Sequence, residues 1–112
     1  MTYDLALVNF PFTSLAGNKK RPCLILCSYQ PKNLESHYII AMITSQINGL
    51  RFPGDVLLKK RKEAGLLKPS ILRLSKIVTV EKSLIKGKLG RLADVDIKQS
   101  KKNFKSLFKE MV

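Results

Sequence analysis

The stretch Ser70-Ile71-Leu72-Arg73-Leu74-Ser75-Lys76-Ile77-Val78-Thr79-Val80 decides the fold class. Ile71, Arg73, Ser75, Ile77 and Thr79 alternate with Leu72, Leu74, Lys76, Val78 and Val80. A period of two in a run rich in branched residues predicts a long β-strand. Moving toward the N-terminus, the same signals predict a short strand at Asp55–Leu58, an apolar strand at His37–Thr44, another at Pro22–Ser28 and a first at Tyr3–Phe10. In that first strand Leu5 and Leu7 share one face and Ala6, Val8 and Phe10 the other. Apolar residues on both faces are expected where a small sheet curls on itself. Pro11 ends it, and the connections at 13–20, 29–36 and 48–54 carry the Gly, Asn, Ser and Pro of loops. Lys59–Gly65 predicts one helical turn closed by Gly65. Toward the C-terminus, Gly87–Leu92 reads as a last strand. From Asp94 the period becomes helical. Ile97, Phe104, Leu107, Phe108 and Met111 form one stripe, and Lys98, Lys101, Lys102, Lys105 and Lys109 cover the other sides. Asp94 is the predicted N-cap, with Asp96 in the positive first turn. Five or six short strands and one C-terminal amphipathic helix predict a mainly β (α+β) fold, a small SH3-like antiparallel barrel with the helix packed on it.

The chain has 112 residues, which predicts a single domain spanning 1–112. At 45% apolar content it should bury a modest core and fold. Twenty-one Lys and Arg against eight Asp and Glu leave a net charge of +13. Such an excess points to a polyanionic partner: nucleic acid, an acidic protein or an anionic membrane. A membrane-spanning helix is excluded, because the longest wholly apolar run is Tyr38–Ile43, far short of the roughly 20 residues required. Met1-Thr2-Tyr3-Asp4 lacks the cationic start of a signal peptide, so the expected location is the cytoplasm.

The available chemistry is narrow. Cys23 and Cys27 lie on one predicted strand, about 13 Å apart. A disulfide requires Cα atoms within about 7 Å, so they are read as buried small hydrophobes on one strand face. They lack the usual two-residue cysteine spacing of a zinc site. His37, the sole histidine, is read as structural or solvent-facing. The carboxylates are scattered, and the one close pair, Asp94 and Asp96, fits helix capping better than a metal site. Gly87-Lys88-Leu89-Gly90-Arg91 lacks the spacing of a phosphate-binding loop, and no Gly-x-Ser-x-Gly elbow is present. What remains is cationic and hydroxyl chemistry. Lys19-Lys20-Arg21 sits where a loop enters the second strand, and Thr44-Ser45-Gln46 where the third strand ends. Adjacent strands could bring these points together. An Arg fork and a Thr hydroxyl could then grip a phosphate and stabilise a pentacoordinate phosphorane. In RNA the nucleophile can be the substrate's own 2′-OH. Taken singly, Arg21 is better explained as a solvated strand-flank residue and Thr44-Ser45-Gln46 as a polar turn.

The order of several short motifs carries more. Asn9-Phe10-Pro11-Phe12-Thr13, then Lys20-Arg21-Pro22 leading into an apolar strand, then Ile43-Thr44-Ser45-Gln46, resembles the MazF/PemK family of toxin–antitoxin ribonucleases. Pro53-Gly54-Asp55-Val56, Gly65-Leu66-Leu67-Lys68-Pro69-Ser70, Lys76-Ile77-Val78-Thr79-Val80 and Leu89-Gly90-Arg91-Leu92 continue the likeness, which spans residues 3 to 108. The resemblance implies the barrel fold of the MazF, PemK and CcdB toxins. It also implies a homodimer, a cognate acidic antitoxin as partner, and no cofactor, metal or membrane association. The implied activity is metal-independent, sequence-specific cleavage of single-stranded RNA, giving a 2′,3′-cyclic phosphate (or its opened 3′-phosphate) and a 5′-hydroxyl, and so blocking translation and growth. It carries Arg21 and Thr44 over as the catalytic pair. Phe12, Lys19, Lys20, Ser45 and Gln46 follow as candidates for RNA contacts. One departure is visible. The family usually opens with Gly-Asp before the first strand, and here it is Tyr3-Asp4. A Gly at that point can take a positive φ, which Tyr resists.

Two other readings stay open. The related CcdB-type toxins poison a topoisomerase as protein ligands, acting through the C-terminal helix. Here that helix is strongly basic and ends Lys109-Glu110-Met111-Val112, without an aromatic anchor. The other is a non-catalytic nucleic-acid binder. The retained Arg21-Pro22 and Thr44-Ser45 favour the ribonuclease.

Overall fold

The computed structural model describes residues 2–10 and 19–111. Six strands form one antiparallel sheet among the described residues: β1 (Asp4–Phe10), β2 (Lys19–Tyr29), β3 (His37–Thr44), β4 (Asp55–Leu57), β5 (Ile71–Glu81) and β6 (Ile85–Arg91), in the order β4-β5-β3-β2-β1-β6. A single 3₁₀ turn (Lys82–Leu84) separates β5 from β6, and the helix α1 (Asp94–Leu107) follows. The mainly β architecture is therefore as the alternation predicts, and β3 has the predicted bounds. The other strands move by a few residues at their ends, where pairing partners decide how far a ladder runs.

The sheet curls but does not close by hydrogen bonding, since β4 and β6 are its two ends. The turn between β4 and β5 covers that seam. Gly65, at φ +80°, ends the turn, with its N–H on Lys62 O at 3.0 Å and the Leu66 N–H on Arg61 O at 2.9 Å. A Cβ on Gly65 would run into the Leu89 carbonyl, and one on Gly90 would lie 2.6 Å from the Ala64 carbonyl carbon. Backbone therefore packs on backbone where the ladder is missing, and only glycine permits it.

Two apolar clusters fill the two faces. Leu5, Leu24, Ala41, Ile43, Leu72 and Leu74 pack with Val56, Leu66 and Leu92 on the helix side. Ala6, Val8, Cys23, Ile25, Tyr38, Ile40 and Val80 pack on the other. This is the both-faces-apolar pattern of a coiled small sheet.

Several local expectations are corrected. A bulge shifts the β2–β3 register between Ile25, opposite Ile40, and Cys27, opposite Ile39. Cys23 is buried, but Cys27 is turned to the other face and exposed. A larger shift interrupts β5: Met42 faces Arg73 while Ala41 faces Ile77. Arg73 and Ile77 therefore do not share a face, although strict alternation puts them together. Tyr3 does adopt the positive φ, at +69°. Its N–H donates to Ile25 O and its carbonyl accepts from the Leu92 N–H, both at 2.9 Å, offsetting a cost of roughly 1–2 kcal/mol for a left-handed non-glycine residue.

The helix departs most. Its N-cap is Ala93, so the predicted cap Asp94 is the first helical residue. Asp96 is 1% exposed and points inward, where its two carboxylate oxygens accept the Lys59 and Lys60 backbone N–H groups, each at 2.9 Å. Ser100 is buried one turn on, with its hydroxyl donating to Asp96 O at 2.6 Å, and Asn103 Nδ2 donates to Asp55 O at 3.0 Å. The ridge that meets the sheet is thus Asp96, Ser100, Asn103 and Leu107, helped by Ile97. The aromatic stripe is rotated away from it: Phe104 stays 40% exposed and Met111 84% exposed.

Truncating Asp96 leaves two backbone donors without their acceptor. Asp96→Ala is expected to lower unfolding free energy by roughly 2–3 kcal/mol in urea titrations, and Asp96→Asn, which keeps one acceptor oxygen, by less.

Candidate active site

The β2 and β3 strands set the two motif residues on one face. Cys23 pairs with Met42 and Leu24 with Ala41, so Arg21 on β2 and Thr44 on β3 each lie two residues beyond the last β2–β3 pair, Cys23–Met42. On the other side of β2, Val8 pairs with Arg21. The alternation is unbroken here, so Val8, Arg21 and Thr44 continue the face of Ala6, Cys23 and Met42, opposite the helix. Pro22 contributes locally, because the residue before a proline is held to extended backbone.

Arg21 is half-buried, and its Nε is buried with no hydrogen-bond partner among the described residues. A guanidinium N–H left dry and unpaired is costly unless an acceptor arrives. The Thr44 hydroxyl is oriented from behind: the Gln46 N–H donates to Oγ1 at 3.2 Å, leaving the hydroxyl proton free for an acceptor in front. The Ile47 N–H on Ser45 O at 3.0 Å completes the tight turn. One face thus presents a fixed cation and a neutral donor. That combination suits a phosphoryl group whose negative charge grows during reaction.

The other predicted site residues divide. Lys20, Ser45 and Gln46 are exposed at the mouths of β2 and β3. Lys19 opens β2 opposite Phe10. Phe12 and the Lys19 side chain lie outside the described residues. Lys59 and Lys60 are anchored through their backbone to the N-terminus of α1, on the face away from Arg21. Arg61 is engaged internally, donating to the Leu66 and Leu67 carbonyls at 3.2 and 2.8 Å. His37 stacks on Tyr29 at 5.5 Å between ring centroids, and its Nδ1 lies 3.0 Å from Glu35 O. No group of three His, Cys, Asp or Glu is close enough to hold a metal ion among the described residues. No helix among them is long and apolar enough to cross a membrane.

Sequence reasoning missed two features. Asn9 on β1, paired with Lys20 on β2, has a buried Oδ1 with no partner among the described residues. Arg73 and Asp55 form an ion pair at 3.0 Å on the Arg21 face, next to the loop that follows Thr44. Eighteen residues separate them, and only the β4–β5 pairing brings them together.

Residues 2–108 match the model of the family described as PemK-like, MazF-like toxin of type II toxin-antitoxin system. A comparison with curated protein sequences gives no match. Among solved structures the chain is similar to an endoribonuclease in complex with its cognate antitoxin from Mycobacterial species, with a TM-score of 0.70 at 11% identity over 97% of this chain and 94% of that one. It is also similar to the Mycobacterium tuberculosis toxin MazF-mt6, at 0.69 and 19% over 95% and 96%. A third similar structure is MazF from Deinococcus radiodurans, at 0.65 and 18% over 96% and 94%. At such identities these structures establish a shared fold.

Burial pushes the Cys23 thiol up to about 12, against the opposing pull of the Arg21 charge. With a native pKa above the unfolded one, the thiol's contribution to stability is complete below about pH 9 and declines as pH rises toward 12. The reactive species is the thiolate. Native protein at pH 8 is therefore expected to consume one equivalent of iodoacetamide, at Cys27, and two after denaturation, as counted by mass spectrometry.

Proposed function

Because the chain belongs to the PemK-like, MazF-like toxin family of type II toxin–antitoxin systems, we propose that it is a sequence-specific endoribonuclease acting on single-stranded RNA without a metal ion. The observation that carries this reading is the placement of Arg21 and Thr44 on adjacent strands, each two residues beyond the Cys23–Met42 pair on the same face, with the Arg21 Nε buried and without a partner among the described residues.

The reaction needs no protein nucleophile. The 2′-oxygen of the nucleotide before the scissile bond attacks phosphorus and loses its proton. The bond from phosphorus to the 5′-oxygen breaks, and that oxygen takes up a proton. The products are a 2′,3′-cyclic phosphate and a 5′-hydroxyl. Between them lies a phosphorane with extra charge on its non-bridging oxygens. The Arg21 guanidinium meets that charge. The Thr44 hydroxyl donates to the same oxygens. Both groups are preorganised by the sheet, so little reorganisation is needed as charge develops. Arg21 and Thr44 are catalytic residues in this reading. Phe12, Lys19, Lys20, Ser45 and Gln46 contact the flanking nucleotides, and the +13 charge supplies phosphate neutralisation along the strand.

Residues 1–112 act as one domain in this reading, assembled as a homodimer. The inhibitor is a cognate acidic antitoxin, whose charge complements the basic chain. The solved structures with this fold include MazE–MazF from Deinococcus radiodurans, which supports the same kind of partner here.

The experiment uses purified protein, long single-stranded RNA and EDTA, with new 5′ ends mapped. Wild type is expected to cut at one short motif and leave 5′-hydroxyls. Arg21→Ala and Thr44→Ala should each lower kcat by about 10²–10³. Intact RNA with wild type, or equal cutting by all three proteins, would overturn the proposal.

A further inference from the structure

The face that carries Arg21 and Thr44 holds a second, more deeply packed guanidinium. The Arg73 side chain is 14% exposed and that of Asp55 is 5% exposed. Arg73 Nε and Nη2 bind Asp55 Oδ1 and Oδ2 at 3.2 and 3.0 Å, a two-pronged grip. Nη2 also donates to Leu50 O at 3.0 Å, and the guanidinium carbon lies 4.0 Å from the centroid of the Phe52 ring. Asp55 closes the circuit: its Oδ2 accepts the Phe52 N–H at 2.9 Å, and its own N–H donates to Phe52 O at 3.1 Å. One arginine therefore fixes Leu50, Phe52 and Asp55 together.

The position of this clamp gives it meaning. Thr44 pairs with Ile71, and Arg73 lies two residues further along β5 on the same face, the diagonal neighbour of Thr44. The clamped segment is the far end of the loop that starts at Ser45, directly after Thr44. Exposed Ser45, Gln46, Leu50 and Arg51 lie on this loop. An exposed ion pair would need no explanation beyond solubility. A buried one seldom adds stability over an apolar pair, so its use here is geometric: it holds one loop in one place.

We propose that Arg73 is a positioning residue that clamps the 45–54 loop as the wall of the RNA groove beside Thr44, and thereby decides which bases are accepted next to the scissile phosphate. This rests on the endoribonuclease reading. Arg73 touches no reacting atom. It acts through the loop, and its planar fork is what a lysine cannot reproduce.

The test compares full-length wild type, Arg73→Lys, Asp55→Asn, Phe52→Leu and Thr44→Ala on a randomised single-stranded RNA pool. Sequenced cleavage ends, kcat and KM on the preferred motif, and melting temperature are read for each. Arg73→Lys and Asp55→Asn are expected to raise KM about tenfold, with a much smaller change in kcat, and to flatten the discrimination between motifs by a similar factor. Phe52→Leu leaves the ion pair in place, so it provides a folded variant if the charge changes unfold the protein. It is expected to flatten discrimination in the same direction. Unchanged KM and motif choice in the folded variants would overturn the proposal. So would a loss of activity that only follows the melting temperature while motif choice stays fixed. If wild type cuts, Thr44→Ala does not, and the clamp variants cut the same motif, the clamp alone is refuted. If wild type leaves the pool intact, the endoribonuclease reading fails and the clamp proposal falls with it.

Discussion

Two backbone N–H groups, at Lys59 and Lys60, converge on the single buried carboxylate of Asp96, and much of the architecture hangs from that contact. It seats the turn that covers the open seam between β4 and β6. It also fixes the N-terminus of α1 over the apolar face. From there the helix reaches Asp55 through Asn103, and Asp55 grips Arg73 beside the loop that follows Thr44. A run of short polar contacts thus links the helix to the functional face across a core that is otherwise apolar. Charge-assisted hydrogen bonds to a desolvated carboxylate are among the stronger local interactions a small domain can use. Their directionality explains why the helix presents Asp96, Ser100 and Asn103 to the sheet and leaves Phe104 outside.

Much of the fold was legible, for identifiable reasons. Strands β1, β2, β3 and β5 carry long branched and apolar runs, and the change of period at Asp94 marks the helix without any tertiary information. The candidate site was suggested by two short motifs at the ends of predicted strands, and those strands, β2 and β3, do pair as neighbours. What escaped depends on partners rather than on the chain's own period. The bulge after Ile25 turns Cys27 away from Cys23, and the shift in β5 separates Arg73 from Ile77. Period counting also seats a helix by its apolar stripe, whereas this one is seated by a carboxylate that looked like a cap. The Arg73–Asp55 clamp required the β4–β5 register. Phe12 and the Lys19 side chain fall outside the described residues.

The cations divide by occupation. Arg73 and Arg61 spend their donors on carboxylate and carbonyl oxygens inside the fold. Lysines on α1 and on the 59–62 turn face solvent on the helix side. Arg21 differs from both, half-buried on the opposite face with its Nε unpartnered among the described residues. A net charge says only that a polyanion is attracted. In the proposed function, that donor is the one offered to a phosphate.

Strand β1 lies between β2 and β6, so residues 4–8 must pair with residues 85–91 before the sheet is complete. A chain emerging from a ribosome adds about 5–20 residues each second, so β1 waits several seconds for its outer neighbour. Until β6 and the Leu89–Gly90 backbone arrive, the seam has nothing to pack against and β1 is an unprotected edge. Long-range pairing of this kind is slow to nucleate and favours late, all-or-none assembly. The sheet that carries Arg21 is therefore completed only once residues 85–91 have been made, so its assembly cannot run ahead of β6.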